Sequence, residues 1–152
     1  MKLAEALILR ADYQKRFEQL KQRIVTNAKV QEGDEPSENP QQLIGEMERL
    51  GDEILSFVQR INRTNSATEF GEGQSLSDAL AQRDALMLKR TVYSSLAAAA
   101  SVAQTRTSRS EVKFKSTVDV PEIQSRIDAL SKSYRQVDSR IQELNWQIEL
   151  AD

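Results

Sequence analysis

The chain has 152 residues and a formal net charge of −2, with 29% charged and 5% aromatic residues, five glycines and three prolines. That length suits one domain with a sizeable core, and the composition favours long helices over a turn-rich β fold. The charge gives no global attraction to nucleic acid or anionic membrane, and the absence of His and Cys removes disulfides, thiolate and imidazole metal sites, Fe–S clusters and His-dependent nucleophilic triads.

The first helix is predicted over about 2–30. Its stripe is Leu3, Ala6, Tyr13, Phe17, Leu20 and Ile24, with Arg10 and Asn27 falling on the same seam. Residues 1–5 are already helix-like, and charge at Glu5 and Arg10 leaves no apolar leader core there. The acidic stretch 31–38, punctuated by Gly33 and Pro36, ends this helix.

Asn39 is placed to cap a second helix with Pro40 at its first position, where a missing N–H costs nothing. That helix, about 40–63, carries Leu43, Met47, Leu50, Ile54, Phe57 and Ile61 at alternating spacings of four and three. Asn62, Arg63, Thr64 and Asn65 are read as its capping end, since Asn tolerates the left-handed conformation. The competing reading makes them a polar cluster that meets Arg109, Glu111 or Asn145.

Gly71 and Gly73 mark a turn, and Ser75 with Asp78 forms a start signal for a third helix over about 76–103. Leu76, Leu80, Leu86, Met87, Leu88, Val92, Tyr93 and Leu96 lie around much of its circumference, followed by alanines at 97–100. An all-round apolar helix is expected to be buried all round, so this one is read as central. The most membrane-like stretch, 91–103, is too short to span a bilayer.

Val112, Phe114, Ser116 and Val118 alternate with polar residues, which predicts a short extended segment. Asp119-Val120-Pro121-Glu122 then opens a fourth helix, about 120–150. Its seam is an unbroken 4-3-4-3 run: Ile123, Ile127, Leu130, Tyr134, Val137, Ile141, Leu144 and Ile148. The fold expected is all-α, with long antiparallel helices forming a helical bundle or coiled coil in a single domain over 1–152.

Three features invite a functional reading. Arg10, Arg83 and Arg90 sit on seams that call for apolar residues. Their stems can cover apolar surface, or they can pair internally with carboxylates such as Glu5 or Asp84 and fix register, or they can line an anion pocket. Arg106, Arg109, Lys113 and Lys115 oppose only Glu111, a basic stretch whose ordinary reading is a solvated loop. A nucleic-acid surface would need a wider basic face with stacking aromatics. Glu46, Glu48, Asp52 and Glu53 lie outward on the second helix without the Glu-x-x-His pairs of di-iron bundles, so no metal is expected.

Second apolar stripes, Leu7-Ile8-Leu9 and Ile44, Leu55 and Val58, exceed what one narrow core needs. Burial in a homo-oligomer is the economical explanation.

Five ordered segments carry a family resemblance. They are Lys2-Leu3-Ala4-Glu5-Ala6-Leu7, Ile61-Asn62-Arg63-Thr64-Asn65, Ala81-Gln82-Arg83-Asp84, Ser108-Arg109-Ser110-Glu111-Val112-Lys113 and Ile141-Gln142-Glu143-Leu144-Asn145-Trp146. Together they resemble the septicolysin-like family of small bacterial helical proteins, over essentially the whole chain. The resemblance implies a bacterial, mostly helical protein of uncharacterised function. The family's name implies a pore-forming toxin, but it brings no catalytic residues to transfer.

The sequence therefore points to a cytoplasmic, non-enzymatic, self-associating helical protein with no catalytic residue, cofactor or metal. Its interaction candidates are Arg10, Asn62, Arg63, Asn65, Arg83, Asp84, Arg90, Arg109, Glu111 and Lys113. A second copy is the expected partner, an unidentified protein a further one, and neither nucleic acid nor membrane is expected. The runner-up is a pore-forming protein, and an anion- or nucleic-acid-binding module using Arg83, Arg109 and Lys113 comes third.

Overall fold

Four helices account for most of the computed structural model, which describes residues 1–101 and 113–152: α1 (Leu3–Thr26), α2 (Pro40–Ala67), α3 (Leu76–Ala100) and α4 (Val120–Gln147). Two short strands, β1 (Glu69–Gly71) and β2 (Gln74–Ser75), pair between α2 and α3. The protein is all-α with long packed helices. Backbone contacts divide it into two units: Met1–Glu69 with Gln142–Asp152, and Phe70–Ile141.

In the first unit α1 and α2 form an antiparallel hairpin. The Tyr13 ring meets Phe57 edge-on at 5.6 Å between centroids, while Phe17 lies beside Gly51. Seam residues Leu3, Ala6, Leu20, Leu43 and Ile61 are buried, as are Leu144 and Leu150. Each of the leucine and isoleucine side chains contributes roughly 1.5–3 kcal/mol by leaving water.

Polar groups define the hairpin's ends. Glu5 Oε2 accepts from the Lys2 N–H at 2.7 Å, satisfying a donor at the start of α1. Asn39 Oδ1 accepts from the Gln41 N–H at 2.9 Å, with Pro40 opening α2 as the sequence leads one to expect. Between the helices Gly33 takes φ +92°, a left-handed conformation that costs glycine little.

In the second unit Ser75 starts α3 with a reciprocal cap. Its Oγ accepts from the Asp78 N–H at 3.1 Å, and its own N–H donates to Asp78 Oδ2 at 2.8 Å. Contacts from α3 step down α4 as they step up α3: Arg83 reaches Asp138, Arg90 reaches Ser131 and Tyr93 reaches Arg126. The two helices are therefore antiparallel. Leu76, Ala79, Ala97, Ile123 and Ile141 are buried in this unit.

Two expectations are corrected. First, α2 does not cap at residues 62–65; it runs on to Ala67 and Thr68 closes it. Thr64 continues the seam beyond Ile61 and is buried, which gives the helix a reason to persist. Second, α3 is not buried all round. It buries one stripe, while Leu88 and Val92 are 71% and 66% exposed. Ahead of α4, residues 113–116 lie outside any helix, and the Ser116 hydroxyl closes a local turn with Val118. Val112 lies outside the described residues. The β1–β2 pair, turned through Glu72 and Gly73 (φ +68°), was foreshadowed only as a glycine turn.

Among the described residues no helix is long and apolar enough to cross a membrane.

Candidate functional site

The densest polar convergence lies in the first unit, where residues 1–3, the end of α2 and residues 148–152 meet. Lys2 and Glu149 form an antiparallel bridge. The Leu3 N–H donates to the Ile148 carbonyl at 2.9 Å, and the Leu150 N–H to the Met1 carbonyl at 2.8 Å. Burial of Leu3 and Leu150 on the same short ladder explains why these segments stay together.

Side chains reinforce the ladder. Glu149 accepts from the Met1 ammonium at 3.0 Å and pairs with Lys2 Nζ, whose ammonium also donates to the Gln147 carbonyl at 3.0 Å. Hydrogen bonding from Lys2 first, then from the ammonium of Met1, holds the Glu149 carboxyl below its ordinary range.

From α2, Thr64 Oγ1 donates to the Arg60 carbonyl at 2.8 Å and accepts from the Ala151 N–H at 2.9 Å. A buried hydroxyl thus spends both functions. Arg60 Nε donates to the Ala151 carbonyl at 2.8 Å, and Arg63 Nη1 to the Asp152 carbonyl at 2.8 Å.

At the other end of the hairpin, buried Asn27 donates to the Arg23 carbonyl at 2.9 Å and accepts from the Glu38 N–H at 3.1 Å. Arg23 chelates the Glu38 carboxylate, which is lowered by that pairing while Arg23 is raised.

The second unit holds an arginine ladder between α3 and α4. Arg83 Nη1 donates to Asp138 Oδ1 at 2.7 Å. Arg90 lies over the Tyr134 ring at 5.6 Å from its centroid and reaches Met87 Sδ at 3.1 Å. Arg126 donates to Tyr93 Oη at 3.2 Å and to Glu122 at 3.0 Å, and both bonds raise its pKa, the first more strongly.

The sequence candidates are divided between the two units. Arg10, Asn62, Arg63 and Asn65 belong to the first unit, and Arg83, Asp84, Arg90 and Lys113 to the second. Arg109 and Glu111 lie outside the described residues. Asn62, Asp84 and Lys113 are exposed and Asn65 half-buried. The seam arginines divide three ways. Arg83 is paired inside, though with Asp138 rather than Asp84, and Glu5 serves the Lys2 N–H instead of an arginine. Arg90 rests on an aromatic face, and Arg10 keeps a buried Nε with no hydrogen-bond partner.

Lys2, Arg60, Glu149 and Asp138 were not anticipated, because their partners are distant in sequence. Thr64 was visible as the next seam position after Phe57 and Ile61. Chemically, the described arrays spend guanidinium and ammonium groups on carbonyls, carboxylates and rings. Each carboxyl with a resolved shift, at Glu38, Asp78 and Glu149, moves downward, opposite to the upward tuning of a general acid. No group of three or more carboxylates among the described residues is arranged to hold a metal ion.

Residues 10–150 match a family of unknown function, DUF6847. A crystal structure of a functionally unknown conserved protein from Corynebacterium diphtheriae is 53% identical, covering 99% of this chain and 98% of that one at a TM-score of 0.93. No curated protein matches the chain.

Proposed function

The chain belongs to DUF6847, a family of unknown function, and from its geometry we propose that it is a cytoplasmic, non-enzymatic helical protein that works by associating with copies of itself. The observation that carries this reading is apolar surface left over after the seams are filled. Ile8 is 59% exposed on α1, Leu55 is 54% exposed on α2, and Leu88 and Val92 are more exposed still on α3. Single exposed apolar residues are ordinary, but repeated ones along packed helices favour a partner surface.

The polar arrays support the same reading. They are spent on holding segments together, and the resolved carboxyl shifts favour permanent anions over proton transfer. The pore-forming role implied by the septicolysin-like resemblance gains no supporting observation. Sedimentation velocity of the full chain at micromolar concentrations tests the proposal: a mass above one subunit that falls on dilution is expected, and a monomer throughout would overturn it.

A further inference from the structure

The outward side of α3 carries a second heptad seam. Ala81, Ala85, Leu88, Val92, Ser95 and Ala99 follow one another at spacings of 4, 3, 4, 3 and 4, and all six are exposed. The helix already has an inner seam, Leu76, Ala79, Arg83, Leu86, Arg90, Tyr93 and Ala97, which is buried or half-buried. A stripe at 3.5-residue spacing faces one direction along a supercoiled helix and fits another helix laid beside it. From residue 81 to residue 99 it extends about 27 Å.

We propose that this face receives the α3 of a second copy, as a parallel, in-register, two-stranded coiled coil. The inference rests on the self-association reading above and assigns it a surface and an orientation. With the alternating spacing read as heptad positions, Ala85, Val92 and Ala99 occupy a, while Ala81, Leu88 and Ser95 occupy d. β-Branched Val at a with Leu at d is the combination that favours two parallel strands. The small residues around them let the two backbones approach closely.

Charge selects the orientation. Asp84 falls at g and Lys89 at e, five residues later. In a parallel pair the g residue of one helix faces the e residue five positions on in the other, so Asp84 meets the partner's Lys89 twice by symmetry. Both side chains are exposed and neither makes an ion pair among the described residues. An antiparallel pair with full overlap faces e to e and g to g. It would set Lys89 against its own copy and leave Asp84 opposite an alanine. With Leu88 and Val92 as its only large apolar residues, the contact is a modest one that dilution should reverse.

The test uses the full chain, whose lack of cysteine makes single-cysteine variants unambiguous. Sedimentation velocity is run on the parent, Leu88→Glu, Asp84→Lys and the double swap Asp84→Lys with Lys89→Asp, each checked for helicity by circular dichroism. Leu88→Cys and Lys89→Cys are oxidised in parallel. The proposal expects Leu88→Glu to abolish association at micromolar concentration and Asp84→Lys to weaken it by about tenfold. The charge swap should restore it, and Leu88→Cys should cross-link faster than Lys89→Cys. An oligomer that survives Leu88→Glu overturns this surface and leaves self-association standing through another face. Faster cross-linking at Lys89→Cys overturns the parallel orientation. A parent that is monomeric at every concentration overturns both readings.

Discussion

Arg83 on α3 and Asp138 on α4 pair at 2.7 Å between Nη1 and Oδ1, with side chains 23% and 33% exposed. The guanidinium stands where the α3 seam calls for an apolar residue, one turn below Leu86 and one above Ala79. A half-desolvated pair of this kind contributes less as a bond than its loss would cost, because the surviving carboxylate loses its guanidinium partner in a part-buried site. Its position also fixes how far α4 can slide along α3, since a one-turn shift removes Asp138 from reach.

Arg83→Ala is therefore expected to cost about 1–3 kcal/mol, more than a surface ion pair and less than a fully buried one. Replacing both partners, Arg83→Met with Asp138→Leu, closes the cycle. A double-mutant cycle by equilibrium denaturation reads the coupling, and additive single effects would place the stabilisation in the arginine's stem instead.

Asn27→Ala should destabilise by about 1–2 kcal/mol, because the Glu38 N–H loses its acceptor in a part-buried site. Hydrogen exchange should quicken over residues 36–40 while the α3–α4 contacts keep their protection. Uniform loss across both units would show that the loop is coupled globally rather than locally.

Helix periodicity carried far in the sequence, and pairing across distance did not. Seams at 3.5-residue spacing located four helices, and Asn39-Pro40 and Ser75 with Asp78 marked two starts, because these are local hydrogen-bond chemistry. The end of α2 was misplaced because Asn62 and Asn65 speak for a cap, whereas burial of Thr64 and its bond to the Ala151 N–H decides otherwise. Leu88 and Val92 look like core in the sequence because composition cannot distinguish a helix buried all round from one with two separate seams. Asp138 as the partner of Arg83, and Glu149 beside Lys2, depend on antiparallel register and on segments far apart in sequence.

Core and outer-face residues of equal hydrophobicity should behave differently. Ile61 is 1% exposed, so Ile61→Ala should cost about 2–5 kcal/mol. Leu88→Ala should cost under about 0.5 kcal/mol in dilute solution, where α3 has no second copy beside it. Raising the protein concentration should enlarge the Leu88 effect and leave the Ile61 effect unchanged. Equilibrium denaturation at two concentrations measures both.

Acid should loosen the Lys2–Glu149 bridge before the helices unfold. Glu149 is held below its ordinary value of 4.5, first by Lys2 and then by the ammonium of Met1. A depressed carboxyl contributes stability that is fully present above 4.5 and is lost as pH falls through the lower folded-state value. Protonation of Glu149 weakens both ion pairs at once, leaving the main-chain bonds from Leu3 to Ile148 and from Leu150 to Met1. Hydrogen exchange at Leu3 and Leu150, corrected for the intrinsic pH dependence, should therefore accelerate as pH drops below 4.5. Glu149→Gln should show the faster exchange already at neutral pH and no further step on acidification. Glu38 is depressed in the same direction by Arg23, so global stability also declines in this window. The comparison with Glu149→Gln isolates the bridge: an identical acid step in parent and variant would assign the change to Glu38 or another carboxyl and remove Glu149 as its origin.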